Sequence, residues 1–170
     1  MRFADNIEPM QQLFMDIIDL PQSLNAVPEF SHKQALFIIC AISRYSELLA
    51  LKDKSSSAII NALEPLIICM RRKGLKTMVA IRADAGTAFS SDEFKQWCTK
   101  NNVELILAAP NHQEQNAYAE RGYQTVSRMA RAMLVHANLS LAFYYPAAKY
   151  ACQCLRVLPA KNIRDKNGNV

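Results

Sequence analysis

Three short apolar runs follow one another before any helical pattern begins, and that order restricts the fold more than any other feature of the chain. Residues 13–20 read Leu-Phe-Met-Asp-Ile-Ile-Asp-Leu and stop at Pro21. Residues 34–42 read Gln-Ala-Leu-Phe-Ile-Ile-Cys-Ala-Ile, and residues 45–51 form a third run after a tight connection at Ser43-Arg44. Runs of this length, bounded by turn formers, suit buried strands rather than helices. The pattern then changes. Ser55-Ser56-Ser57 offers N-caps for a helix running to Gly74, with Pro65 inside it expected to kink it. Residues 76–82 predict a fourth strand. Ser90 or Ser91 caps a short helix with Phe94 and Trp97, and Asp92 and Glu93 fall in its first turn, where the helix dipole favours them. Residues 103–108 predict a fifth strand broken by Pro110, followed by helices over about 114–137 and 140–156. The order predicts an α/β fold: a five-stranded mixed sheet flanked by helices, with hairpins first and crossover helices after.

A chain of 170 residues, 51% hydrophobic and 21% charged, can close one core. No apolar run reaches the roughly 18 residues that span a bilayer. Met1-Arg2-Phe3-Ala4-Asp5 lacks the layout of a signal peptide. The five cysteines, Cys40, Cys69, Cys98, Cys152 and Cys154, sit in apolar segments and read as reduced intracellular core residues. Without a CxxC pair, and with three scattered histidines, a structural zinc site has no ligand set. Secretion, membrane spanning and a disulfide scaffold are set aside. The net charge of +5 is uneven: residues 1–120 hold 12 Lys and Arg against 14 Asp and Glu, residues 121–170 hold 8 against Asp165 alone. That basic segment fits either a polyanionic partner such as nucleic acid or an ordinary solvated helix face.

Three acidic residues stand out. Asp16 lies mid-strand between Phe14 and Ile18, on their side of the pleat, where an unpaired carboxylate is expensive. It is either a satisfied structural residue or a ligand. Asp19 points to the other face near the strand end, where a turn role fits. Asp84 lies just past the fourth strand, where ligand sites of open α/β sheets gather, but Gly86 beside it also suits a plain local turn. Glu120 lies on the long helix. Gln113, Asn116, Gln124, Ser127 and Arg131 fall within about 40° of it, and Tyr118, Val126, Met129 and Met133 fall opposite. That face, rich in amides and arginine, is either solvated or a contact surface.

Taken together the three are more specific, with 67 residues between Asp16 and Asp84 and 35 between Asp84 and Glu120. The second lies in Ile81-Arg82-Ala83-Asp84-Ala85-Gly86-Thr87-Ala88-Phe89, and the third in Gln115-Asn116-Ala117-Tyr118-Ala119-Glu120-Arg121, followed by Arg128-Met129-Ala130-Arg131-Ala132-Met133-Leu134. With Ser43-Arg44-Tyr45 and Leu51-Lys52-Asp53-Lys54-Ser55, these blocks resemble the catalytic core of retroviral and LTR-retrotransposon integrases, most like copia-type elements, from about Leu13 to Pro159. The sequence departs from that family's pattern at Ala85, Ala88, Cys40 and Ala117, none of them a carboxylate of the triad.

The resemblance implies an RNase H-like fold, with residues 13–159 the core, 1–12 a lead-in and 160–170 a tail. It implies a polynucleotidyl transferase and endonuclease in which Asp16, Asp84 and Glu120 are catalytic and bind Mg²⁺ or Mn²⁺, two ions in all. Its substrates would be element DNA, trimmed at its 3′ ends, and target DNA, to which those ends are joined by strand transfer. Gln113, Asn116, Arg121, Gln124, Arg128 and Arg131 would contact DNA. A homo-oligomer follows, acting in the nucleus after a cytoplasmic virus-like particle stage. The family's flanking zinc-binding and basic regions are not visible, so the chain is expected to be a core from a longer polyprotein or a truncated copy. The departures leave open a non-catalytic DNA-binding or protein-interaction module descended from such a core.

Overall fold

Alternate side chains of the central strands face two different cores, and the whole architecture follows from that alternation. The computed structural model describes residues 10–21, 32–40, 42–72, 78–108 and 117–158. Strands β1 (Gln12–Asp19), β2 (Gln34–Cys40), β3 (Ser46–Leu51), β4 (Ala80–Ala83) and β5 (Glu104–Leu107) form one sheet in the order β3-β2-β1-β4-β5. β1 to β3 pair antiparallel, and β1–β4 and β4–β5 pair parallel. This is the mixed sheet predicted from the order of runs. The segments assigned to strands at 41 and 76–77, Gly74, Pro110, residues 114–116 and both chain ends lie outside the described residues.

On one face Leu13 and Met15 of β1 join Leu36, Ile38 and Cys40 of β2 and Ile81 and Ala83 of β4. Helix α1 (Ser56–Arg72), the short α2 (Thr87–Ser90) and α3 (Asp92–Lys100) cover them through Ile59, Leu63, Phe89, Phe94 and Trp97. On the other face Phe14, Ala35, Phe37, Ile39 and Leu48 pack against α4 (Ala117–His136) and α5 (Tyr144–Val157).

Local chemistry sets the helix ends. Ser55 Oγ accepts the Ala58 N–H at 3.2 Å, and α1 continues through Pro65, an exposed residue, without interruption. Ser91 caps α3 by accepting the Phe94 N–H at 3.2 Å, whereas α2, a turn of helix before it, was not foreseen. With only four glycines in the chain, α3 and α4 are terminated by Asn102 (φ 54°) and Asn138 (φ 53°) in the left-handed region. The following N–H groups, on Val103 and Leu139, reach back to Cys98 O and Leu134 O at 2.9 Å each, a Schellman closure.

Three local expectations are corrected. Asp19 makes no turn: its carboxylate pairs with Lys54 at 2.9 Å and accepts from Gln34 Nε2 at 3.3 Å, and those partners hold its pKa low. Cys69 is exposed on α1 and Cys154 half-buried on α5, because neither falls on its helix's inward stripe; Cys40, Cys98 and Cys152 are buried. The buried stripe of α4 is Ala119, Val126, Ala130 and Leu134, turned by roughly a fifth of a turn from the predicted one. Small residues win there because the helix sits close to the sheet and to α5. Ser127 is consequently drawn inward, where Tyr144 Oη donates to its Oγ at 2.9 Å.

Candidate functional site

Asp16 sits on β1 opposite Phe37 of β2, on the face that α4 and α5 cover. It interrupts the apolar stripe Phe14–Ile18 and is half-buried. On the other side of β1 the parallel register matches Leu13 with Ile81 and Phe14 with Arg82. The pairing ends there, and Asp84 follows one residue beyond β4, the strand next to β1. Parity puts Arg82 and Asp84 on the Asp16 face, since Ile81 and Ala83 face the opposite core.

Asp84 is exposed, one residue past the end of β4. The local turn is real: the Gly86 N–H donates to Asp84 Oδ1 at 3.4 Å. A Cβ on residue 86 would stand 3.1 Å from the same oxygen, so a side chain there would displace the carboxylate slightly, while the φ of −58° is one that any residue adopts. The turn is anchored behind. The Ser90 N–H and hydroxyl both reach Gly86 O at 3.0 Å, while Ser56 Oγ, buried at the start of α1, donates to Ala88 O at 3.0 Å and lies 2.6 Å from Ser91 Oγ.

Glu120 is exposed in the first turn of α4. A Cβ on Gly122 would meet Ile39 Cδ1 at 2.8 Å and Phe37 Cε1 at 3.2 Å. Phe37 is the cross-strand partner of Asp16. Thus the glycine lets the helix descend onto the strand next to Asp16, two residues from Glu120.

The electrostatics join the three positions. Burial first, then the Asp84 charge and more weakly Glu120, together push the Asp16 carboxyl from an ordinary 3.8 up to about 6, against a backbone hydrogen bond at Ile17. Asp84 and Glu120 are therefore both near enough to Asp16 for their charges to act on it. Among the described residues, however, no three His, Cys, Asp or Glu side chains are gathered tightly enough to hold a metal ion as they stand. Oxygen-only donors of this kind suit Mg²⁺ or Mn²⁺, and the elevated Asp16 carboxyl, flanked by two like charges, is the state a divalent cation would relieve.

The other expected site residues divide. Arg121, Gln124, Arg128 and Arg131 are exposed along α4. Gln113 and Asn116 lie outside the described residues. The close approach at Gly122 and the contacts of Tyr118 and Arg82 with Phe14 join segments far apart in the chain and are not legible in the sequence. The period-two parity that placed Asp16 beside Phe14 was the available signal.

No family model matches the chain. In sequence it is 27% identical over 129 residues to the Pro-Pol polyprotein of feline foamy virus, covering 75% of this chain and 10% of that protein. It is 23% identical over 107 residues to the retrovirus-related Pol polyprotein from transposon TNT 1-94 of Nicotiana tabacum, covering 63% and 8%. The chain thus spans about a tenth of the length of the curated relatives it matches. Among solved structures, the HTLV-2 integrase catalytic core domain in complex with magnesium, dimeric form, superposes with a TM-score of 0.63 at 18% identity, covering 91% of this chain and 90% of that one. Its trimeric form gives 0.59 at 18% identity, covering 95% and 93%. The simian T-cell lymphotropic virus intasome in complex with PP2A regulatory subunit B56 gamma gives 0.67 at 16% identity, covering 97% and 63%. At such identities the structural likeness concerns the fold.

Proposed function

With the RNase H-like fold of integrase catalytic cores and Pol polyproteins for relatives, this chain is, we propose, the catalytic core of a retroelement DNA integrase. The observation that carries the reading is the Asp16 carboxyl, mid-strand and raised to about 6 by burial, Asp84 and Glu120. The reaction would be polynucleotidyl transfer: 3′-end trimming of element DNA, then joining of the recessed ends to target DNA. We assign residues 13–159 to the core, with 1–12 as lead-in and 160–170 as tail.

Asp16, Asp84 and Glu120 would hold two divalent ions, Mg²⁺ or Mn²⁺. When bound, such ions neutralise charge at the phosphodiester and lower the pKa of the attacking oxygen's proton. The protein's share is placement. Asp16 on β1 and Asp84 just past β4 would offer two carboxylates from neighbouring strands, and the first turn of α4, a helix that packs on the same sheet face, would offer the third. In-line displacement depends on such positioning and on charge neutralisation. Arg121, Gln124, Arg128 and Arg131, with Gln113 and Asn116, would carry the DNA backbone along α4. The partner set is then DNA and further copies of the chain, and the place of action the nucleus. Among the described residues no helix is long and apolar enough to cross a membrane.

Replacing Glu120→Gln should abolish Mn²⁺-dependent strand transfer while leaving the circular dichroism spectrum unchanged and DNA affinity within about twofold. Joining at the native rate would refute the assignment. A second reading, a non-catalytic DNA-binding or protein-interaction module, is favoured by one observation: among the described residues no three His, Cys, Asp or Glu side chains are gathered closely enough to hold a metal ion. Calorimetric Mn²⁺ binding that disappears in Asp84→Asn supports the enzyme. Equal DNA affinity with and without Mn²⁺, and no cleavage, supports the module.

A further inference from the structure

Each of the three carboxylates has, two residues before it, a member of one stacked cluster: Phe14 before Asp16, Arg82 before Asp84, Tyr118 before Glu120. Phe14 is the fully buried centre. The Tyr118 ring lies with its centroid 5.1 Å from that of Phe14 at an interplanar angle of 43°, and the Arg82 guanidinium carbon lies 5.9 Å from the Phe14 centroid. Arg82 Nε is buried without a hydrogen-bond partner, so the ring face is what receives that end of the side chain. At the outer end, Arg44 of the β2–β3 turn, itself at φ 55°, lies against the Tyr118 hydroxyl.

The spacing has a geometric consequence. On a strand, residues i and i+2 share a face about 6.8 Å apart, so fixing Phe14 against Arg82 fixes the end of β4, from which Asp84 follows, beside the strand that carries Asp16. On a helix, side-chain directions advance about 100° per residue, so seating Tyr118 on Phe14 fixes the rotation of the first turn and with it the side from which Glu120 leaves the helix. Among the described residues no hydrogen bond or ion pair holds the Glu120 carboxylate. The helix's rotation therefore sets where its Cβ leaves the backbone, and with it the region the carboxylate can reach. We propose that Arg82, Phe14 and Tyr118 are positioning residues, a stack that locks the first turn of α4 against β1 and β4 and so sets Glu120 relative to Asp16 and Asp84. The inference rests on the carboxylate reading above. Multi-ligand sites tolerate errors of only about 0.5 Å, and loss of such supporting contacts typically weakens metal binding by about 10–100-fold.

The test uses the full chain, Mn²⁺ titration by calorimetry, and strand-transfer kinetics. Tyr118→Leu should weaken Mn²⁺ binding about tenfold and lower kcat with little change in the KM for DNA, whereas Tyr118→Phe should stay within about twofold. Leu134→Ala, at the far buried end of α4, should lower Tm at least as much without touching Mn²⁺ affinity. Native Mn²⁺ affinity in Tyr118→Leu, or equal weakening in Leu134→Ala, overturns the stack's role. Should Tyr118→Leu not fold, Arg82→Met replaces it, with severalfold weaker Mn²⁺ binding expected and unchanged binding decisive against the proposal. If the native chain's Mn²⁺ binding is indifferent to Asp84→Asn, the carboxylate reading itself falls, and the stack's role with it.

Discussion

Asp16 is the residue at which stability and function pull apart. Its folded-state pKa, about 6, lies above the ordinary 3.8, so the folded protein holds the proton more tightly than the unfolded chain. The stability this supplies is fully present below about pH 4 and is lost as pH rises through 6. The metal-free protein should accordingly show a Tm that falls between pH 5 and pH 7. Asp16→Asn should remove that slope and raise the neutral-pH Tm by about 2–6 °C, a gain of about 1–2 kcal/mol after allowing for the group's partial exposure. A thermal melt series checks both, and a Tm that rises with pH would contradict the cause assigned to the shift. Gly86 poses the complementary case. Its backbone would accept alanine, but the added Cβ would crowd Asp84 Oδ1 from 3.1 Å. Gly86→Ala should leave urea stability within about 0.5 kcal/mol yet weaken Mn²⁺ binding about tenfold.

At the scale of elements, the decisive contact is the descent of α4 onto β2. Gly122→Ala should be near neutral, because about 1 kcal/mol of helix propensity offsets the shift of the Ile39 tip. Gly122→Leu should instead cost about 1–3 kcal/mol by overpacking, measured by urea unfolding, and carry Glu120 away from Asp16. A second clamp holds α5 to the sheet edge. Arg156 pairs with Glu47 of β3, donates to Ser46 O at 2.9 Å and stacks 4.3 Å from the Tyr45 centroid. The pair is mostly shielded, with side chains 25% and 12% exposed. Arg156→Ala should therefore lower stability by about 2–4 kcal/mol, against under 1 for an exposed pair. These two contacts were not legible in the sequence. Gly122 and Arg156 are recognisable only when the residues opposite them, 83 and 109 positions away in Ile39 and Glu47, are known.

For the whole molecule, the charge is the guide. Residues 121–170 hold 8 of the 20 Lys and Arg and one acidic residue, and three of those arginines line exposed positions of α4. DNA affinity should fall at least tenfold between 50 and 200 mM salt, with the log–log slope reduced by about one for each phosphate contact removed in Arg128→Glu and Arg131→Glu. Fluorescence anisotropy against salt reads this directly, and an unchanged slope in the double variant would move the DNA to another face.

The chain's own order of apolar runs determined the mixed sheet, because strand length, turn formers and period-two alternation act over a few neighbouring residues. It also determined which acidic residues were anomalous, since Asp16 breaks a stripe that can be read without coordinates. What only the tertiary structure decided was how the elements that carry these positions meet: the β1–β4 register that pairs Phe14 with Arg82, the depth at which α4 settles over Phe37, and the Phe14–Tyr118 stack. Those depend on contacts between segments tens of residues apart, where side-chain volume and charge at one position have meaning only beside their partners.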